Sequence, residues 1–344
     1  METKDFDFNL PEALIAQHPI EKRDHSRMLV VNKNNGDIHH RHFYDIVDFL
    51  TENDVLVINE TKVIPARLIG SKIDTKAVIE LLLLKEIEPN VWETLVKPAK
   101  RIKIGSKVIF GNTLVAECIL KKEDGTHHFR MSYEGVFLEV LEHLGTMPLP
   151  PYIHERLEEQ SRYQTVYAKN AGSAAAPTAG LHFTKELMER LDRKGVDIVP
   201  ITLHVGLGTF KPVSVEKISE HKMHEETYMI TDENAEKLNK AIKDGKNIVA
   251  VGTTSLRALE SNYNNGFKSG IFNTSIFIYP GYKFKAVNEL ITNFHLPKST
   301  LVMLVSAFSS TKIIKKAYNE AILHRYRFFS FGDAMYLTRK LDIK

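Results

Sequence analysis

The sequence predicts a mixed α/β protein with a small all-β barrel inserted into it. Two observations lead there. From about Ala66 to about Tyr133 the chain is a succession of short alternating or β-branched runs separated by polar turns, the pattern of a small barrel or sandwich. After Pro148-Leu-Pro-Pro151 apolar strand-like and amphipathic helix-like segments alternate, which implies helices layered on a sheet with loops at the strand ends. The expected division is an α/β part over 1–66 and 150–344, interrupted by a barrel over 67–149.

In order, Met28–Asn32 and Ile38–His42 read as a hairpin around Asn34-Asn35-Gly36-Asp37, because asparagine and glycine tolerate positive φ. A short amphipathic helix over Tyr44–Leu50 leads to an apolar strand at Asp54–Asn59. The barrel strands are expected at Val78–Leu84, Val91–Val96, Lys107–Phe110, Leu114–Leu120 and His127–Tyr133. Beyond them, Thr184–Arg193 reads as a helix stopped by Gly195, and Val196–His204 as a buried strand. Asp232 is the expected cap of a helix over Glu233–Lys243, and Asn247–Val251 is another strand. A helix opens at Ser255–Ser261, and a long one covers Lys312–Phe328.

Composition narrows the class. With 344 residues, 43% hydrophobic and 26% charged, the chain resembles an ordinary globular protein of two domains. A net charge of +3 permits a nucleic-acid partner without demanding one. The single cysteine, Cys118, excludes an intrachain disulfide and a cysteine-rich zinc site, and reads as a buried strand residue. The acidic N-terminus does not read as a signal peptide, and the apolar run Leu301–Phe308 is far too short to span a bilayer. A cytoplasmic protein, and a monomer, are the expectations.

Chemistry is concentrated in histidines set among glycine and threonine: Pro177-Thr-Ala-Gly-Leu-His-Phe-Thr184, His204-Val-Gly-Leu-Gly-Thr-Phe210, His221-Lys-Met-His-Glu-Glu226 and Thr292-Asn-Phe-His-Leu-Pro297. Imidazole titrates near neutrality, and such loops bring N–H groups and hydroxyls to a ligand. The segment Asn247–Glu260 reads as a strand, a Gly-Thr-Thr-Ser turn and a helix. It is either an anion site at the helix start, with Arg257 pinning a carboxylate, or an ordinary cap with an internal Arg257–Glu260 pair. His221, His224 and Glu226 allow a metal reading if the two rings share a helical face. A hydrogen-bonded pair is the plainer account, since no His-Glu-x-x-His pattern is present. His39, His40, His42, His127 and His128 read as surface residues.

Two basic clusters suit phosphate. Lys97, Lys100, Arg101, Lys103 and Lys107 lie in the β-rich stretch with no acid among them. Lys312, Lys315, Lys316, Arg325 and Arg327 accompany Tyr318, Tyr326 and Phe328 at the C-terminal helix. Exposed aromatics there would stack on bases, whereas the bland alternative is a solvated face with its rings packed inward.

Taken in order, the segments resemble one family. They are Leu14-Ile-Ala-Gln17, Asp24-His-Ser-Arg27, Asn59-Glu-Thr-Lys-Val-Ile-Pro-Ala-Arg67, Tyr163-Gln-Thr-Val-Tyr167, Ala176-Pro-Thr-Ala-Gly-Leu-His-Phe183, His204-Val-Gly-Leu-Gly-Thr-Phe210 and His221-Lys-Met-His224. Gly252-Thr-Thr254, Tyr279-Pro-Gly-Tyr282, Thr292-Asn-Phe-His-Leu-Pro297, Tyr326-Arg-Phe-Phe329 and Gly332-Asp-Ala-Met335 follow. Together they are similar to the S-adenosylmethionine:tRNA ribosyltransferase-isomerases of the queuosine pathway, over essentially Leu10 to Met335. Asn59-Glu60-Thr61-Lys62 stands where the family more often shows Asn-Asp-Thr-Arg, and Thr227 stands where a tyrosine is common.

The resemblance implies transfer and isomerisation of the ribosyl part of S-adenosylmethionine onto 7-aminomethyl-7-deazaguanine in a tRNA with a GUN anticodon. Adenine and methionine leave, and epoxyqueuosine-tRNA is the product. It implies no metal or redox cofactor, S-adenosylmethionine being consumed as substrate. On this reading base and acid lie among His182, His204, His224, Glu226 and Asp333. Arg257 with Thr253 and Thr254 would hold the methionine carboxylate. Thr178, Asn293 and His295 would orient ribose or base, with backbone approach at Gly180, Gly206 and Gly208. Lys97, Lys100, Arg101, Lys312, Lys315, Lys316 and Arg325 would meet tRNA phosphates. Two other classes remain: a metal-dependent hydrolase built on His221 and His224, and a non-catalytic tRNA-binding protein.

Overall fold

The computed structural model describes residues 1–155, 157–206, 213 and 215–341. The chain opens with the expected hairpin of β1 (Arg27–Asn32) and β2 (Ile38–His42), which pair antiparallel. A single turn, α1 (Ile46–Phe49), leads to β3 (Asp54–Asn59) and the short β4 (Thr61–Val63).

Six strands then close a barrel: β5 (Arg67–Lys72), β6 (Val78–Glu88), β7 (Val91–Lys97), β8 (Lys107–Phe110), β9 (Leu114–Lys121) and β10 (His127–Tyr133). The sheet order is β5-β6-β7-β10-β9-β8, and β8 returns to pair with β5. Closure removes the free edges of a small sheet. Leu68, Leu81, Phe110, Cys118, Phe129 and their neighbours fill the interior. Helix α2 (Phe137–Leu144) covers the barrel, and the two-residue β11 (Gly145–Thr146) adds to β5.

After β12 (Asn170–Ser173), parallel to β4, come α3 (Lys185–Arg193), β13 (Asp197–Leu203), β14 (Glu226–Ile230) and α4 (Asp232–Lys243). These are followed by β15 (Asn247–Val251), α5 (Gly252–Asn262), β16 (Gly270–Thr274) and β17 (Glu289–Asn293). The last elements are α6 (Thr300–Phe308), α7 (Thr311–Leu323) and β18 (Ala334–Thr338). Nine strands form one mixed sheet in the order β16-β14-β13-β3-β15-β17-β18-β1-β2.

The central strands of the sheet are buried on both faces, and side-chain alternation shows why. In β3, Val55 and Val57 enter one core with α4 to α7, while Leu56 and Ile58 enter the other with α1 and α3. β15 divides in the same way, Ile248 and Ala250 against Val249 and Val251. A strand covered on both faces reads as a continuous apolar run, which is how these were legible.

Several expected boundaries shift. The cap of α4 is Thr231, whose hydroxyl accepts from the Asn234 N–H, and Asp232 is the first helical residue. α5 begins at Gly252 rather than Ser255, so the Gly-Thr-Thr-Ser segment is its first turn. α7 ends at Leu323 rather than Phe328 because Arg325 takes φ +55. The Tyr326 N–H then reaches the Ala321 carbonyl and the Arg325 N–H the Ile322 carbonyl, closing the helix end. His127 is buried in the barrel, with Nδ1 near the Gly125 carbonyl, and is not a surface residue.

Candidate functional site

β13, β3, β15 and β17 run parallel, so their C-terminal ends share one edge of the sheet. That edge carries Asn59-Glu60-Thr61, His204, the start of α5 and the Asn293–His295 turn. β18 is antiparallel to β17, and Asn293 lies opposite Ala334. The 329–333 loop therefore enters the same edge. Ligands of open α/β sheets gather there, where strand ends leave a crevice between loops.

Two connected spaces open at this edge. The inner one, about 670 Å³ of empty volume partly open to solvent, is lined by Thr178, Val205, Thr253, Thr254, Asn293 and His295 among others. The outer one is a wider cleft between the barrel and the sheet. Trp92, Tyr133 and Phe137 face it from the barrel side, and Gly172, His204, His224 and Glu226 from the other. Val205 belongs to both walls, so cavity and cleft adjoin.

The inner cavity presents unsatisfied polar groups. Thr254 Oγ1 and Asn293 Oδ1 are buried with no hydrogen-bond partner among the described residues, an arrangement a bound ligand would relieve. α5 starts after Val251 with no side-chain cap, so the N–H groups of its first turn open towards this space. His295 is fixed through Nε2 to Thr292 Oγ1 at 2.9 Å, and burial pulls its pKa down to about 3. It is a neutral imidazole, and among the described residues Nδ1 has no partner.

His182 is placed differently. It ends a 3-10 turn, Thr178–His182, that carries it into the core beneath the cavity. Its Nδ1 meets Ser26 Oγ at 2.7 Å and its Nε2 meets Asn293 Nδ2 at 3.1 Å, while Phe43 stacks on the ring. Burial, with Arg23 and Arg327 nearby, lowers its pKa to about 3. With both nitrogens engaged it orients Asn293 and is not itself a proton acceptor for a ligand. At Gly180, in the same turn, an added Cβ would overlap the Tyr167 hydroxyl at 2.1 Å, so the glycine admits a packed neighbour.

His204 is the cleft histidine. Nδ1 sits 2.8 Å from Thr61 Oγ1, and burial lowers the ring's pKa below the ordinary value of 6.5. Gly172, with φ +144, lies against the ring: a Cβ there would stand 2.9 Å from Cε1. Nε2 has no partner among the described residues. His224 is exposed on the same cleft.

Arg257 departs from both expectations. It pairs neither with Glu260 nor with an open anion site: its guanidinium makes a buried ion pair with Glu226 and donates Nε–H to the Ile276 carbonyl at 3.3 Å. Among the described residues, its second terminal nitrogen has no partner. Glu260 instead accepts the N–H groups of Lys285, Ala286 and Val287 and the Tyr282 hydroxyl. Asp333 lies outside both cavity and cleft. Its carboxylate accepts the N–H groups of Arg27 and Arg327 and pairs with the Arg27 side chain at 3.2 Å. It is a loop staple.

Gly206 lines the cleft with nothing near its missing side chain, and Gly208 lies outside the described residues. His221 packs edge-on to Phe277, and the chain from His221 to Glu225 is not helical, so His221 and His224 share no helical face. Among the described residues neither belongs to a group able to hold a metal.

The basic clusters separate. Lys97, Lys100, Arg101 and Lys103 are exposed on the barrel, and among the described residues none of them forms an ion pair. Lys107 lies 3.8 Å from Glu117. On α7, Lys312, Lys315 and Arg325 are exposed, while Lys316 donates to the Gly36 carbonyl at 2.8 Å. Tyr318, Tyr326 and Phe328 are all buried, so no stacking platform exists there. Arg327 donates to the His18 carbonyl.

Sequence reasoning singled out neither Ser26 nor Thr61 as a site residue, although each orients a histidine. Their signal was their place inside the Asp24–Arg27 and Asn59–Arg67 segments. No helix among the described residues is long and apolar enough to cross a membrane.

The profile of the queuosine biosynthesis protein family matches residues 3–337. An S-adenosylmethionine:tRNA ribosyltransferase-isomerase of Clostridioides difficile is 56% identical over 338 residues, covering 97% of this chain and 99% of that protein. One from Staphylococcus haemolyticus is 57% identical over 339 residues, with the same coverage. Among solved structures, the S-adenosylmethionine tRNA ribosyltransferase of Thermotoga maritima is similar with a TM-score of 0.56 and 37% identity, covering 97% of this chain and 99% of that one.

Proposed function

This chain belongs to the queuosine biosynthesis protein family, and on that premise we propose that its cavity and cleft carry out the S-adenosylmethionine:tRNA ribosyltransferase-isomerase reaction. The ribosyl part of S-adenosylmethionine moves to the aminomethyl nitrogen of 7-aminomethyl-7-deazaguanine in a GUN anticodon, with release of adenine and methionine. The rearrangement needs no external oxidant or reductant, so no redox cofactor enters. The protein works as a cytoplasmic monomer.

One observation carries the assignment of places: a small cavity holding buried, unsatisfied polar atoms adjoins a wide cleft at Val205. S-adenosylmethionine occupies the cavity. Its carboxylate meets the uncapped first turn of α5 at Thr253 and Thr254 rather than Arg257, whose charge Glu226 already answers. Asn293 Oδ1 and Thr254 Oγ1 take ligand hydroxyls or the adenine amino group, and Thr178 and His295 complete the wall.

The modified base enters from the cleft, splayed from its single-stranded loop without breaking a helix. The sulfonium acidifies the C5′ hydrogens, and a neutral imidazole is the right base for them. His204 fills that role, because it lines the cleft, its Nε2 has no partner among the described residues, and burial lowers its pKa, which favours the neutral ring. His224 stands on the same cleft as the proton donor for departing adenine.

The test is direct. The protein is incubated with S-adenosylmethionine and tRNA bearing the aminomethyl base, and adenine, methionine and the mass of the anticodon nucleoside are measured. Equimolar release with conversion to epoxyqueuosine is the expected result. Binding of tRNA without release, or release only when a metal is added, would replace this reading.

A further inference from the structure

His40, Glu320 and His324 line neither cavity nor cleft, but they come together in space. His40 is on β2, at the edge of the large sheet, and Glu320 and His324 are one turn apart at the C-terminal end of α7. Their side-chain atoms all fall within 4.8 Å of one another. Glu320 Oε1 is 3.3 Å from His40 Nε2 and 2.9 Å from His324 Nε2. A tetrahedral ion with bonds of about 2.0–2.2 Å sets its ligand atoms roughly 3.3–3.6 Å apart, so little adjustment is required.

We propose that these residues form a binding site for a zinc-class divalent transition ion, which clips α7 to the sheet edge. Two features beyond proximity support it. His40 Nδ1 is 2.9 Å from the Tyr326 hydroxyl, an outer contact that holds the ring in place and can accept Nδ1–H when an ion sits on Nε2. Arg27, paired with Asp333, donates to the His324 carbonyl at 2.8 Å and so holds the end of α7 in place beside the cluster. His40 and His324 are exposed and Glu320 is half-buried, which leaves room for water as the fourth ligand.

The ion would be structural. It joins residues 280 apart in sequence, and the chain leaving α7 runs directly to Phe329 and Ser330 in the cavity wall. Fixing the end of α7 therefore steadies one side of the substrate pocket without the ion touching substrate.

The experiment titrates the chelator-treated full chain with Zn²⁺ at about pH 7.5 by calorimetry. One equivalent should bind with a dissociation constant below about 10 µM. His324→Ala and Glu320→Gln should weaken it by more than about a hundredfold, and Tyr326→Phe by about tenfold, through loss of orientation alone. Zn²⁺ should raise the thermal midpoint of the parent protein and not of His324→Ala. Weaker binding than this, or equal affinity in His324→Ala, would overturn the proposal. Co²⁺ provides a second measure: the visible absorption of a four-coordinate ion should appear in the parent and vanish in His324→Ala.

Discussion

The Asn293 side-chain amide donates to Nε2 of the buried His182 at 3.1 Å, and the same nitrogen reaches the Phe329 carbonyl at 3.2 Å. A carbonyl only accepts, so this pair fixes which way the amide points and leaves Oδ1 as the acceptor in the cavity wall. His182 is thus a positioning residue that acts through Asn293. His182→Leu, which removes the partner but keeps an apolar core side chain, should lower kcat/KM for S-adenosylmethionine by about 10–100-fold, as expected for 1–3 kcal/mol from one buried unpaired group. The KM for tRNA should not move. Steady-state kinetics with each substrate varied checks both statements, and an unchanged kcat/KM would remove the relay.

Acid should destabilise the fold before its carboxylates titrate. His182 and His295 are held at about 3, well below the ordinary 6.5, because burial disfavours their charged forms. Between those values the unfolded chain binds protons that the folded chain does not. The stability is fully present above the unfolded pKa and is lost as pH falls from about 6.5 towards 3. Each histidine contributes a slope of up to about 1.4 kcal/mol per pH unit in that window. Urea midpoints at about pH 7.5 and about pH 5 should differ accordingly, and by less in His182→Leu. Equal midpoints would contradict the burial of both rings.

The Arg257–Glu226 pair should matter more for folding than for binding. Removing one partner of a buried pair leaves the other charge uncompensated, at a cost of about 3–5 kcal/mol. Glu226→Ala should lose that much stability in chemical denaturation. A loss below about 1 kcal/mol would mean the pair is solvated, as surface pairs are.

Cations on the barrel should carry more of the tRNA salt dependence than those on α7. Replacing Lys97, Lys100, Arg101 and Lys103 together by Ala should weaken tRNA binding and flatten its dependence on log salt. The slope should fall by up to about one unit for each phosphate no longer neutralised. Binding of free S-adenosylmethionine should be unaffected. Replacing Lys315 and Lys316 should do less, since Lys316 is already committed to the Gly36 carbonyl. Filter binding at several salt concentrations decides, and the reverse ranking would move the tRNA to the other face.

Much of the fold was legible because burial writes itself into periodicity. β1, β3 and β15 alternate between two cores, and their apolar runs stand out. Lys107–Phe110 and His127–Tyr133 coincide with their predicted bounds. Helix ends were less legible, because they depend on tertiary detail. Arg325 in a left-handed conformation stops α7 without a glycine to announce it, and α5 starts within a segment that reads locally as a turn. For the site, the sequence indicated the loops but not who meets whom. Arg257 found Glu226, 31 positions away, instead of Glu260 on its own helix. Asp333 was drawn to backbone N–H groups. Pairings across such separations are set by sheet order, which spacing does not encode.

The central claim is that cavity and cleft act as one site with His204 as the base. Single-turnover adenine release by His204→Ala, with tRNA and S-adenosylmethionine saturating and the fold verified by its thermal midpoint, tests it most directly. The account predicts that adenine release is abolished while S-adenosylmethionine still binds. Near-normal release from a folded His204→Ala protein would contradict it.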